Sequence, residues 1–203
     1  MHATKQTRQL IVNADGYGFT PGVNAGIVRA FETGLVRSTS CTPNFGFLDE
    51  VGEIASRFPE VSFGIHYNIS VGFPVSPPGE VPSLIGSDGR FHSVGLLGKL
   101  LRREIRREEL VRELTAQAAL LADAGIRITH FDGHQNKHLY PMYFEAALEV
   151  SRKFGIRAVR THRRLLYTFR GPIKATGAMR YYLTHPTRLA THIAGRVRTQ
   201  MAG

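Results

Sequence analysis

Short apolar runs alternate with helical stretches along most of this chain, and that alternation limits the fold more than any other feature. Gln9–Asn13 (QLIVN) reads as a strand of the kind buried on both faces of a parallel sheet. Behind Pro21, the apolar positions Val23, Ile27, Val28 and Phe31 predict a helix that Gly34 stops. Leu35–Thr42 is the second predicted strand, Leu48–Phe58 a short helix closed by Pro59, and Val61–Ile65 the third strand. Ser70–His92 is rich in Gly, Pro and Ser, and a loop of that length is commonly functional. Leu96–Ala124 then reads as one helix ended by Gly125, Ile126–Phe131 as a fourth strand, Tyr143–Phe154 as a helix and Ile156–Thr161 as a fifth strand. Beyond Arg164 the periodicity weakens to two short helices near 176–183 and 186–200. Five β-then-α units in succession point to an α/β fold, a parallel sheet with covering helices, either open or rolled into a barrel. At 203 residues the chain suits a single domain, 1–203, with a basic helical tail over 165–203.

The lone cysteine, Cys41, excludes an internal disulfide framework and any cysteine-rich zinc module. No apolar run approaches the ~18 residues that span a bilayer, and Met1–Gln9 lacks the apolar core of a signal peptide. The expectation is therefore a soluble, cytoplasmic protein with no membrane span. There are 26 basic and 16 acidic side chains, a net charge of +10, and they are unevenly placed. Residues 151–203 hold twelve Lys or Arg and no Asp or Glu, whereas residues 1–150 hold fourteen basic and sixteen acidic side chains. Such a tail suits nucleic acid or anionic lipid. It carries no nucleic-acid motif and offers only Phe154, Tyr167, Phe169, Tyr181 and Tyr182 for stacking, so nucleic acid ranks last among the expected partners.

Ligands of parallel α/β proteins lie beyond the carboxyl ends of the strands. There the sequence places Asn13-Ala14-Asp15-Gly16-Tyr17-Gly18 after strand one, Thr42-Pro43-Asn44 after strand two, and Gly64-Ile65-His66-Tyr67-Asn68 after strand three. Strand four leads into His130-Phe131-Asp132-Gly133-His134-Gln135-Asn136-Lys137-His138, and strand five into Arg157-Ala158-Val159-Arg160. Singly, an Asp after a strand is more often a cap or turn former than a catalyst, and a lone His66 is more often a hydrogen-bonded residue than a ligand. Two or three histidines within nine residues, beside Asp132, suit a divalent transition metal, and His134 and His138 have i, i+4 ligand spacing if their segment is helical. On the residues alone, a metal site and a set of unrelated turn formers stay balanced.

At these residues the chain resembles the YdjC/ChbG family of carbohydrate deacetylases, whose motifs are a strand followed by NADDFG, a G-x-H-x-N/L segment and a D-[GS]-H-x-H-x-H segment. Pro21-Gly22-Val23-Asn24, Gly34 to Ser40, Ser83-Leu84, Gly89-Arg90-Phe91 and Glu113 to Gln117 also read as familial, so the likeness runs in order over residues 9–161. It implies an irregular TIM-like barrel that removes the N-acetyl group of an amino-sugar saccharide with a divalent metal, magnesium or zinc. It further implies Asp15 as general base and His66 and His134 as metal ligands, with Asp15 able to join them. Arg160 would orient Asp15 or stabilise the oxyanion. Asn44, Asn68, Asp132 and His138 are the candidate substrate-binding residues.

Three departures bear on activity. Gly16 stands where the family has a metal-binding Asp, and Asn136 stands for the middle His of the third motif. Family members also continue past the tail with another strand and a late His-Pro-Gly segment, which the sequence ending at Gly203 lacks; His185-Pro186 is not followed by Gly. A shortened barrel leaves strand edges unpaired, which invites a homodimer or packing of the tail over the gap. A catalytically impaired carbohydrate-binding relative, and nucleic-acid binding through the tail, are the alternative readings.

Overall fold

A computed structural model describes residues 10–161. The two predicted tail helices and the tail itself lie outside the described residues.

Five parallel strands run β1 Asn13–Tyr17, β2 Ser38–Cys41, β3 Ser62–Tyr67, β4 His130–Gly133 and β5 Ala158–Val159, adjacent in the order of the sequence. The connections carry α1 Pro21–Glu32, α2 Val51–Arg57, α3 Leu96–Leu101, α4 Arg107–Asp123 and α5 Pro141–Lys153. This is the α/β class expected. The core joins strand residues such as Phe63, Ile65 and Phe131 to the apolar stripe of α4 (Leu110, Leu114, Ala118, Leu121), which α5 covers with Tyr143, Phe144, Ala147 and Val150.

The sheet is strongly curled at its carboxyl end. Flat strands about 4.8 Å apart would separate β1 from β5 by about 19 Å. Yet the side chain of Arg160, directly after β5, bonds Asp15 of β1 at 2.6 and 2.7 Å. Only a barrel-like curl brings the two outer strands within the reach of one arginine. Among the described residues no helix is long and apolar enough to cross a membrane.

Several boundaries differ from the expected ones, those of the strands for one reason and that of the long helix for another. β1 starts where the predicted strand ends: Asn13, Ala14 and Asp15 pair with Ser38, Thr39 and Ser40, while Leu10 and Ile11 are exposed. β3 extends through His66 to Tyr67, and β4 through Asp132 to Gly133. Polar residues that read as strand followers are therefore strand members, because the parallel ladder satisfies their backbones while their side chains meet at a polar mouth. The single predicted helix 96–124 is broken between Leu101 and Arg107, with Arg103 at φ 57°. Arg102 to Arg107 hold one apolar residue, Ile105, so a continuous helix would have no stripe to bury there. Instead Ile105 turns into the core and the N–H of Arg106 donates to Ser83 Oγ at 2.9 Å.

Candidate active site

Asp15, His66, His134 and Arg160 line one cleft of about 370 Å³ at the carboxyl end of the sheet, with Gly16, Thr42, Gln135 and Asn136. Two strands and the segments that follow two others supply them. Asp15 lies in β1 and His66 in β3; His134 opens a 3-10 turn, His134–Leu139, and Arg160 comes directly after β5. The rings of His66 and His134 meet edge to face with centroids 5.7 Å apart. The carboxylate and both imidazoles, distant in sequence, therefore share one cleft.

Asp132 sits beneath them, with a fully buried side chain. The Nδ1–H of His66 donates to its Oδ1 at 2.6 Å; Ser40 Oγ donates to its Oδ2 at 3.1 Å, and Arg160 reaches the same oxygen at 2.8 Å. Nδ1 of His66 being engaged, Nε2 is the nitrogen left for a ligand. Asp132 thus holds the His66 ring and does not face the cleft, which corrects the expectation that it touches substrate.

Arg160 links the two carboxylates. Its fork is bidentate on Asp15, which Asn13 also supports through a 2.6 Å bond to Oδ1. Burial raises the Asp15 pKa, but the hydrogen bonds and charge of Arg160, with Asn13, outweigh burial and hold the carboxyl below its ordinary value. Of the two roles considered for Arg160, the geometry matches orientation of Asp15: both terminal nitrogens are spent on carboxylates, so an oxyanion would have to displace one. The backbone of Arg160 is fixed as well, its N–H donating to Phe131 O at 3.0 Å and its carbonyl accepting from His138 Nε2 at 3.1 Å.

That last bond corrects the reading of His138. The predicted i, i+4 pairing with His134 fails because Gln135 and Asn136 adopt left-handed φ of 54° and 57°, so the segment is not an α-helix. His138 is fully buried against Phe131. Burial holds its imidazole down to about 4, so it stays neutral and supports Arg160 from behind. His134 is also shifted down, by burial and then by the nearby His66 and Lys137, so a neutral imidazole faces the cleft.

Asn44 and Asn68 do not line the cleft either. Asn68 donates to Asn44 Oδ1 (3.0 Å) and Val71 O (2.7 Å), and Asn44 donates to Val71 O and Phe73 O, each at 3.1 Å. Their amides are committed to the segment directly after β3. Residues 70–92, expected to be a functional loop, supply no residue to the cleft lining and dock onto α4. The buried Glu113 accepts from the N–H groups of Val75 and Ser76 (3.0 and 2.9 Å), and Glu109 accepts from Ser83 N–H at 2.6 Å. Sequence reasoning missed Phe19, Gln135 and Thr42 as cleft residues. The available signal was position: Phe19 stands directly behind the first motif, and Thr42 and Gln135 lie within the segments at the ends of strands two and four.

Donors for a divalent ion are present. Asp15, His66 and Asp132 bring ligand atoms within 4.8 Å of one another among the described residues. Asp132 is fully buried and does not line the cleft, whereas the Asp15 carboxylate is exposed there and its Oδ2 holds a single bond, from Arg160; Asp15 with His66 and His134 makes a mixed N and O set that suits zinc and, less well, magnesium. Gly16 is the bulged residue between Asp15 and Tyr17, at φ 94°. A β-carbon there would meet nothing nearer than Phe19 at 3.9 Å. There is room for a side chain, but an Asp in that backbone conformation would be strained.

A family model described as YdjC-like protein matches residues 9–201. A carbohydrate deacetylase of Geobacillus stearothermophilus is 35% identical over 160 residues, 77% of this chain and 62% of that protein. Its counterpart in Brevibacillus brevis is 37% identical over 149 residues, 73% of this chain and 57% of the relative. A solved structure from Enterococcus faecalis, provisionally described as a cellobiose-phosphate cleavage protein, aligns with a TM-score of 0.67 at 29% identity, over 78% of this chain and 60% of its own. The chain thus spans roughly three fifths of the length of these relatives.

Proposed function

The chain belongs to the YdjC-like family, and on that premise we propose that it is a carbohydrate deacetylase that hydrolyses the acetamido group of an amino-sugar saccharide. The carrying observation is the convergence of Asp15, His66 and His134 in one cleft, with Arg160 forked onto the carboxylate.

In the reaction the acetyl C–N bond breaks, the oxygen of water passes to acetate, and the sugar amine takes up a proton. Asp15 is ionised at neutral pH and accepts the proton of the attacking water. Its Oδ2 holds one Arg160 bond, whereas Oδ1 holds Arg160 and Asn13, so Oδ2 has the lone pair to spare. A carboxylate held low is a weak base, and Arg160 keeps it aimed rather than strong. His66, His134 and Asp15 would hold a divalent ion, zinc or magnesium. When bound, it supplies an acidified water and a polarised acyl oxygen. Because position 16 is glycine, Asp15 has to serve both ion and proton.

Gly16 favours a second reading, saccharide binding without turnover. Acetate release from chito-oligosaccharides, with and without added zinc or magnesium, separates the two. The expected result is metal-stimulated release that falls at least about 100-fold in Asp15→Asn, with calorimetric zinc binding lost in His66→Ala and His134→Ala. Saccharide binding with no acetate under any metal supports the second reading; metal affinity retained in both histidine variants overturns the ligand assignment.

A further inference from the structure

Beside the imidazoles the cleft has an apolar wall that the hydrolytic chemistry leaves unused. Phe19 and Val23 line it from the turn that joins β1 to α1, and Phe19 is only part-buried. Its backbone is locked. The Phe19 N–H donates to Gly16 O at 3.0 Å, Gly18 N–H donates to Asn24 Oδ1 at 2.6 Å, and Thr20 caps α1 through the Val23 N–H at 3.2 Å. Gly18, at φ 92°, lies where a β-carbon would stand 2.7 Å from Leu48 and 2.9 Å from Thr42 O. Glycine alone closes the turn that tightly and carries the next side chain over the cleft.

The Phe19 ring is backed as well. Phe45 meets it at 4.3 Å between centroids, tilted by 41°. Phe45 ends the 3-10 turn Pro43–Phe45, which the side chain of Asn44 ties to Val71, Phe73 and Asn68. The His134 ring lies nearly parallel to Phe19, at 22° and 6.4 Å. A rigid, partly exposed aromatic face therefore adjoins the reacting centre, and the amides of Gln135 and Asn136 supply polar lining in the same cleft.

From this we infer that Phe19 is the stacking platform of the site and determines its specificity: the bound group is a single pyranose ring, its C–H face on Phe19 and its acetamido group toward His66 and His134. A pyranose has an apolar C–H face and a hydroxyl rim. The electron-rich face of an aromatic ring attracts the former, and amide side chains bond the latter. At about 370 Å³ the cleft is at the small end of ligand cavities, roughly 300–1,000 Å³, and has room for one ring beside Phe19. The inference deepens the deacetylase reading and rests on its saccharide ligand.

The test titrates N-acetylglucosamine and N,N′-diacetylchitobiose into the native chain, Phe19→Ala and Phe19→Trp by calorimetry, and assays acetate release on the same samples. Phe19→Ala should weaken saccharide binding, and raise KM, about tenfold with kcat within about twofold. Phe19→Trp should keep native affinity, and Phe45→Ala should show a smaller loss. Diacetylchitobiose should bind no more than about threefold tighter than the monosaccharide. Undiminished binding by Phe19→Ala, in a variant with the native circular dichroism spectrum, overturns the platform even if acetate release stands. A native chain that binds both sugars through Phe19 yet releases no acetate overturns the deacetylase reading and upholds the platform. A native chain that binds neither sugar overturns both.

Discussion

Among the described residues two buried polar networks differ in what they leave free. The first, Asp132 with Ser40, His66 and Arg160, supports a cleft in which Asp15, His66 and His134 still present atoms to a ligand. The second, Glu113 with Gln117, Asn68 and Asn44, spends its groups on backbone N–H and carbonyl groups between Asn68 and Ser76. Each is built on a buried carboxylate, Asp132 or Glu113, of the kind that draws attention in a sequence. Only the first opens on the cleft. A polar residue in the interior is thus evidence of an unmet hydrogen-bonding demand, and the site is found where the demand is met only in part.

The sharpest way to break this comparison is at Arg160, which belongs to the first network alone. Arg160→Met leaves the Asp132 charge short of a partner and Asp15 unaimed. Acetate release should fall about 100-fold and stability by about 2 kcal/mol, read by steady-state kinetics and urea unfolding. Arg160→Lys should recover only part, because an ammonium cannot fork across a carboxylate. Native turnover in Arg160→Met would show that the first network is as structural as the second.

Glu113→Ala probes the other side. It orphans the Val75 and Ser76 N–H groups and should cost about 1–3 kcal/mol of stability, while kcat stays within a few-fold of native because the residue does not touch the cleft. A large loss of kcat in a folded Glu113→Ala protein would erase the distinction between the networks.

The smallest effect expected is on pH dependence. His138 has a folded pKa of about 4 against an ordinary value of 6.5, through burial. Between those values the unfolded chain binds a proton that the folded chain refuses, so stability falls as pH drops from about 6.5 toward about 4. Burial also shifts His92, His130 and His134 down, in the same direction. The urea midpoint should be lower at pH 5 than at pH 7, and the slope should flatten in His138→Gln. An unchanged slope would mean that His138 is not the buried neutral support of Arg160.

Much of the fold was legible from the chain. Strand and helix order came from the alternation of apolar runs with helical stretches. The carboxyl-end location of Asp15, His66, His134 and Arg160 came from their positions at the close of those runs. The misreadings have identifiable causes. His138 and His134 share a spacing, but two left-handed residues between them destroy the helix that would have put them on one face. Asn44 and Asn68 read as ligand-facing because their hydrogen-bond partners, the carbonyls of residues 71 and 73, are backbone groups that no residue type announces. The loop 70–92 read as functional from its length alone, because two glutamates on a helix more than thirty positions away from Val75 were needed to show where it docks.

Residue identity, read along the chain, settles which groups are available for chemistry: carboxylates, imidazoles and a guanidinium near strand ends, and a glycine directly after the first of those carboxylates. Folding alone settles which of them meet. The curl of the sheet brings β5 to β1, and Asp132 turns one imidazole nitrogen inward so that the other faces out. Those outcomes depend on distances between segments up to 145 positions apart, and spacing along a chain carries no record of such distances until the core has packed.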